Sequence, residues 1–142
     1  MNFSFLSIDS NVLHKGASCD DLQVVQKTLK ITLPEAITEF LQFTDGAIIA
    51  ERAIFFSCRG DEESLVAYNN DETVTTFFRF GRFSSDEFGY KAEDLQQKNP
   101  PIYVLDHETN ELVLEANNLL QLLEKYNNYA PKKKKWYSFL FS

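Results

Sequence analysis

The side chains able to do covalent, acid–base or metal chemistry are few and scattered. Cys19 and Cys58 belong to no CxxC or Cys/His ligand pattern. A cysteine nucleophile needs a base beside it, and Cys19 falls on a helix start while Cys58 falls at a strand end. Two small, mostly buried thiols in a reducing compartment are expected. His14 and His107 are far apart, and neither has a Cys or His at ligand spacing; His107 reads as a solvated turn residue. No GxSxG, HExxH or P-loop string occurs. Asp86-Glu87 and Asp106-x-Glu108 offer the oxygen ligands a divalent cation takes, but neither resembles an EF-hand loop. The expectation is a protein without catalytic residues, metal or cofactor.

Binding chemistry is better represented. Phe77, Phe78, Phe80, Phe83, Phe88 and Tyr90 crowd one stretch of chain beside Asp86 and Glu87. In a strand, Phe78 and Phe80 point to one face and Phe77 to the other. Two readings stand. The rings fill a core from both faces, or some of them anchor a partner among acids. Arg79 and Arg82 are candidates to cover apolar surface with their stems.

Charge narrows the partner. Of 142 residues, 14 are Lys or Arg and 21 are Asp or Glu, giving a formal net charge of −7. All the acids precede residue 132, where Lys132–Lys135 begin a basic-aromatic tail, so the body is more acidic than the total suggests. A polyanion is a poor ligand for such a body; a basic partner suits it. The tail has three readings: a final strand docked on the acidic body, which is preferred, an anionic-membrane contact, or a disordered or dimer-exchanging end. No apolar run approaches the ~20 residues of a spanning helix. The N-terminus lacks the basic start and long apolar core of a signal peptide, so a cytoplasmic location is expected.

The elements that position these residues can be read from pattern. The hydrophobic fraction of 44% suits one folded domain. Ser18 and Asp21 have capping-box spacing before Leu22, Val25 and Leu29. A second helix begins at Thr32 or Leu33 with Pro34 at its first position, buries Ile37, Phe40 and Leu41, and stops at Gly46. The two form a helical hairpin. Ile48–Ile49 and residues 53–57 read as strands, and residues 61–68 as a short helix led by Asp61, Glu62 and Glu63. Residues 74–80 and 87–91 read as strands separated by a loop over 81–86. Pro100-Pro101 precede a hairpin of residues 102–105 and 112–114. Asn117 is expected to cap a last helix with Leu119, Leu122, Leu123 and Tyr126 on one face. Segregated runs of helices and strands imply α+β with a largely antiparallel sheet, packed with an N-terminal helical hairpin and a C-terminal helix.

With the elements placed, several strings resemble the SUKH superfamily, the Smi/Knr-like proteins. LPEAITEFLQFTDGAII resembles its helix-to-strand signature through Leu33, Pro34, Phe40, Leu41, Asp45 and Gly46. FFRFGRFSSDEFGYK resembles its strand, glycine and acidic-aromatic strand through Phe80, Gly81, Asp86, Phe88 and Tyr90. PPIYVLDHETNELVLEANNLLQLLEKY resembles its closing hairpin and helix. The resemblance spans most of residues 18–127 in a single domain of residues 1–142. It implies a non-enzymatic protein-binding domain. Bacterial members are commonly immunity proteins that neutralise toxin domains, often nucleases; fungal relatives act in cell-wall regulation. The expected partner is a basic toxin domain, bound by a monomer or homodimer without direct nucleic-acid contact. The candidate contacts are Asp45, Asp61, Glu62, Asp86, Glu87, Phe88, Tyr90, Asp106 and Glu108.

Overall fold

A computed structural model describes residues 1–129. The readings of the 132–142 tail lie outside the described residues. Chain order gives β1 (Val12–Leu13), α1 (Cys19–Leu29), α2 (Glu35–Phe43), β2 (Ala47–Ile49), β3 (Ala53–Phe55), α3 (Leu65–Tyr68), β4 (Phe77–Phe83), β5 (Asp86–Lys91), β6 (Ile102–Leu105), β7 (Leu112–Ala116) and α4 (Leu119–Asn127). The seven strands pair in sequence order, and every pairing is antiparallel. The class is α+β.

Local chemistry explains the helix boundaries. The Ser18 hydroxyl accepts from the Asp21 N–H, and the Asp21 carboxylate accepts from the Ser18 N–H. These bonds satisfy two donors that a helix start would otherwise leave unpaired. Pro34 sits one residue before α2 rather than inside it, its extended ψ turning the chain into Glu35. Ser64, not the preceding acids, caps α3 by accepting from the Ala67 N–H. Asn118 rather than Asn117 caps α4, accepting from the Gln121 N–H, while the Gln121 side chain accepts from the Asn117 N–H.

The strand boundaries moved more. Residues 73–75 form a 3-10 turn instead of the start of β4, because Asn70 Oδ1 accepts the N–H groups of both Glu72 and Thr73. A side chain that offers those donors a closer acceptor competes with a sheet ladder. At its other end β4 runs through Gly81 to Phe83. The expected loop over 81–86 shrinks to a turn at Ser84-Ser85, with Ser84 at φ 58°. Gly81 is needed for contact, since a Cβ there would lie 2.1 Å from the Phe88 ring.

One sheet face carries the core. Phe55 packs against Phe40 of α2 and Tyr126 of α4, and α1 adds Leu22, Val25 and Leu29 to the same cluster. Phe78 and Phe80 share this core, as alternation predicts. Phe77 is buried on the other side, with the Arg79 guanidinium 5.4 Å above its ring. The register Val12–Ile48–Ile54–Arg82–Glu87–Leu105–Leu112 crosses all seven strands on that other face, and none of these residues is fully buried.

Tyr90 is wholly buried, and its hydroxyl has no hydrogen-bond partner among the described residues. Burial pushes its phenol pKa up. A buried hydroxyl without a partner costs free energy that the ring alone does not. Tyr90→Phe is therefore expected to stabilise the fold by about 1 kcal/mol, read as a higher urea midpoint at unchanged m. A loss of stability would mean that the hydroxyl is satisfied.

Candidate functional site

An antiparallel meander puts alternate turns at the same end of the sheet. Here the β2–β3, β4–β5 and β6–β7 turns share one end. That end collects Glu51, Asp86, Asp106, Glu108 and Glu111, with Arg52 and His107 among them. The turns are tied together by His107. Its backbone N–H donates to Asp86 Oδ1 at 3.1 Å, and its Nδ1 lies 2.6 Å from the same oxygen. Asp106 Oδ1 meanwhile accepts from the N–H groups of Glu108 and Thr109, closing the β6–β7 turn.

Donor atoms of Asp86, Asp106 and His107 lie within 4.8 Å of one another. Asp86 Oδ1 and Asp106 Oδ1 already accept the hydrogen bonds that shape the two turns. The cluster therefore acts as a brace between turns.

The brace is titratable. Hydrogen bonding to Asp86 raises the His107 pKa, and the same bond lowers that of Asp86. The two shifts have opposite signs in pH. The His107 contribution is full below the ordinary histidine pKa and fades as pH rises through the raised one. The Asp86 contribution is present above the ordinary carboxylate pKa and fades as pH falls through the lowered one. The pair is thus strongest in mildly acidic solution. Asp86→Asn is expected to return the His107 pKa toward its ordinary value, read by NMR titration of the imidazole. An unchanged His107 titration would show that the pair does not form in solution.

Beside the brace, on the helical side, lies a cleft of about 330 Å³. Phe83 and Tyr126 have ring centroids 5.6 Å apart, and Tyr129 lies 6.3 Å from each. Asp86, Glu115 and Arg52 border these rings. Glu115 also pairs with Lys125. Aromatic faces next to carboxylates form a seat for a cationic side chain.

The sequence candidates divide between the two ends and the core. Asp86, Asp106 and Glu108 come together at the turn end. Glu87 lies on the open sheet face, its Oε1 2.8 Å from Arg79 Nε. Asp61 and Glu62 are exposed in the β3–α3 connection, which lies at the opposite end. Three candidates are corrected. Phe88 and Tyr90 are 0% exposed and belong to the core, because they face the helices. Asp45 is buried as well. It accepts from the Cys58 N–H at 2.6 Å and from Arg59 Nε at 2.9 Å, fixing the turn that Gly46 makes at φ 82°.

The thiols also differ from expectation, since Cys19 is exposed and Cys58 half-buried. Burial, reinforced by Asp45, pushes the Cys58 thiol up to about 12. That is the reverse of what a nucleophile needs. The cleft rings Tyr126 and Tyr129 and the rim acid Glu115 escaped the sequence reading. Tyr126 showed only its helical periodicity, and no local spacing relates it to Phe83.

The fold is α+β, with one helix-covered sheet face and an acidic, aromatic-lined turn end. The family model described as the SMI1 / KNR4 family (SUKH-1) matches residues 16–125. The chain belongs to the SMI1 / KNR4 (SUKH-1) family. No curated protein matches it. Among the described residues no helix is long and apolar enough to cross a membrane.

Proposed function

We propose that this chain is a non-enzymatic, cytoplasmic immunity protein that binds and neutralises a toxin domain, often a nuclease in this superfamily. The observation that carries the reading is the acidic turn end beside the Phe83–Tyr126–Tyr129 cleft. A nuclease domain presents a basic surface to its own substrate. Asp86, Asp106, Glu108 and Glu111 steer that surface in. The cleft receives one of its Lys or Arg side chains against the rings, with Asp86 and Glu115 facing the charge. Inhibition is stoichiometric occlusion. No bond is made or broken.

Co-expression with the toxin encoded beside it should protect cells, and the two proteins should purify as an equimolar complex. Absence of both protection and complex would remove the immunity reading. Family membership favours one further reading, a regulatory or scaffold module with an endogenous partner, as in fungal relatives. Recovery of a housekeeping protein in cells lacking any toxin would establish that one instead.

A further inference from the structure

The sheet ends on β7, which pairs only with β6 among the described residues. An edge strand presents unpaired N–H and C=O groups to any second strand. Proteins ordinarily guard such an edge with lysine, proline or inward-pointing charge. β7 includes no lysine or proline, and its one charge, Glu115, and its bulge lie at the far end, beyond Leu114. Val113 and Leu114, one on each face, are 56% and 53% exposed. Leu105, Leu112 and Tyr103 continue the apolar surface on the open face, and Lys91 lies over the Tyr103 ring.

We propose that this edge pairs with the β7 edge of a second copy, antiparallel about a two-fold axis through Val113. Antiparallel partners must point to the same side of the sheet, so the axis has to pass through a residue. An axis at Val113 places Val113 opposite its own copy and Leu112 opposite Leu114, so each of these three meets an apolar residue. An axis at Leu114 would instead set Val113 against Glu115, and one at Leu112 would set Val113 against Glu111. In the chosen register Glu111 approaches Glu115 of the second copy. The Lys125 that pairs with Glu115 answers its charge. Ala116 pairs with Ile102 and Leu114 with Tyr103, leaving Glu115 without a β6 partner at the bulge. The bulge ends the regular pairing and limits the junction to a short run centred on Val113. The association is isologous, and its two acidic bodies repel, so salt strengthens it.

Sedimentation velocity of the full chain over a range of concentration is expected to show a reversible dimer that tightens as salt is raised. Val113→Lys puts like charges face to face and should raise the dissociation constant by about tenfold or more, without loss of fold by circular dichroism. Oxidation of the Cys19→Ser, Val113→Cys chain should link two copies. The Cys19→Ser, Leu114→Cys chain should not link, because position 114 faces 112. A monomer at every concentration and salt overturns the proposal, whether another protein or the chain's own last residues cover the edge. A dimer indifferent to Val113→Lys, or one that links at 114 rather than 113, overturns it too.

Discussion

Phe88→Ala is expected to cost about 4 kcal/mol of stability. Phe88 is fully buried, with ring centroids of Phe55, Phe80 and Tyr126 at 4.9, 5.4 and 5.4 Å. Truncation removes the transfer free energy of the ring and leaves a void where β3, β4 and α4 meet. The neighbours cannot collapse into it, because three of them are rings fixed by their own contacts. A domain holds only about 5–15 kcal/mol in total, so this loss would bring the protein near its folding threshold. Urea denaturation reads it as a lower midpoint at constant m. A second variant separates cavity from other causes. Phe88→Leu keeps more of the buried volume and should lose about half as much as Phe88→Ala. Gly81→Ala should destabilise as well, since its methyl would meet both the ring and the Ile54 backbone carbonyl. A loss of under about 1 kcal/mol for Phe88→Ala would contradict the packing described here.

The second large effect concerns association. If the proposed function holds, replacing Asp86, Asp106 and Glu108 together by lysine is expected to slow binding of the toxin by about tenfold to a hundredfold at low salt. The same change should flatten the salt dependence of the association rate. All three acids stand at one end of the sheet, so their fields add along one approach direction. Asp61→Lys with Glu62→Lys is the internal control. Those acids lie at the opposite end, and their reversal should alter the rate far less. Stopped-flow mixing at several ionic strengths distinguishes the two sets. Equal effects would mean that net charge alone, rather than the turn end, guides the encounter. Because Asp86 also holds His107, the triple variant is compared at matched folded fraction.

Some of this architecture is legible in short spacings. Ser18 and Asp21 announce the start of α1, since a capping box is complete within four residues. Asp45-Gly46 announces the exit from α2 for a similar reason, although its carboxylate proves to be structural. The strand limits were harder, because distant groups decide them. Thr73, Val74 and Thr75 have strand character, yet Asn70 holds them in a turn. Asn69 then receives Arg79 by accepting its N–H and donating to its carbonyl, which places the β4 strand. The cleft was the least legible feature. Phe83 closes β4, Tyr126 comes from α4, and Tyr129 follows that helix. They meet only because β4 and α4 pack together. Phe88 and Tyr90 misled for the converse reason. Their alternation places them together on one face, but the helices packed there decide that it is buried.

The seven-strand meander also shapes how the chain acquires its structure. The β2–β3, β4–β5 and β6–β7 pairings close small loops, so these hairpins can form with little entropic search, whereas β1–β2 and β3–β4 close across the helices between them. The helical layer follows a different schedule. Tyr126 completes the packing around Phe55 and Phe88, and Asn127 Oδ1 accepts from the Asn11 side chain, joining the two ends of the domain. During synthesis from the N-terminus α1 and α2 emerge before the β-hairpins and α4 emerges last, so the part of the aromatic face around Phe83 and Phe88 waits for α4. The vulnerable interval in biogenesis is the one in which the strands are paired but the Phe83 and Phe88 region still lacks its cover. Chaperone engagement should concentrate there, and it should end once residues 119–127 are available to dock.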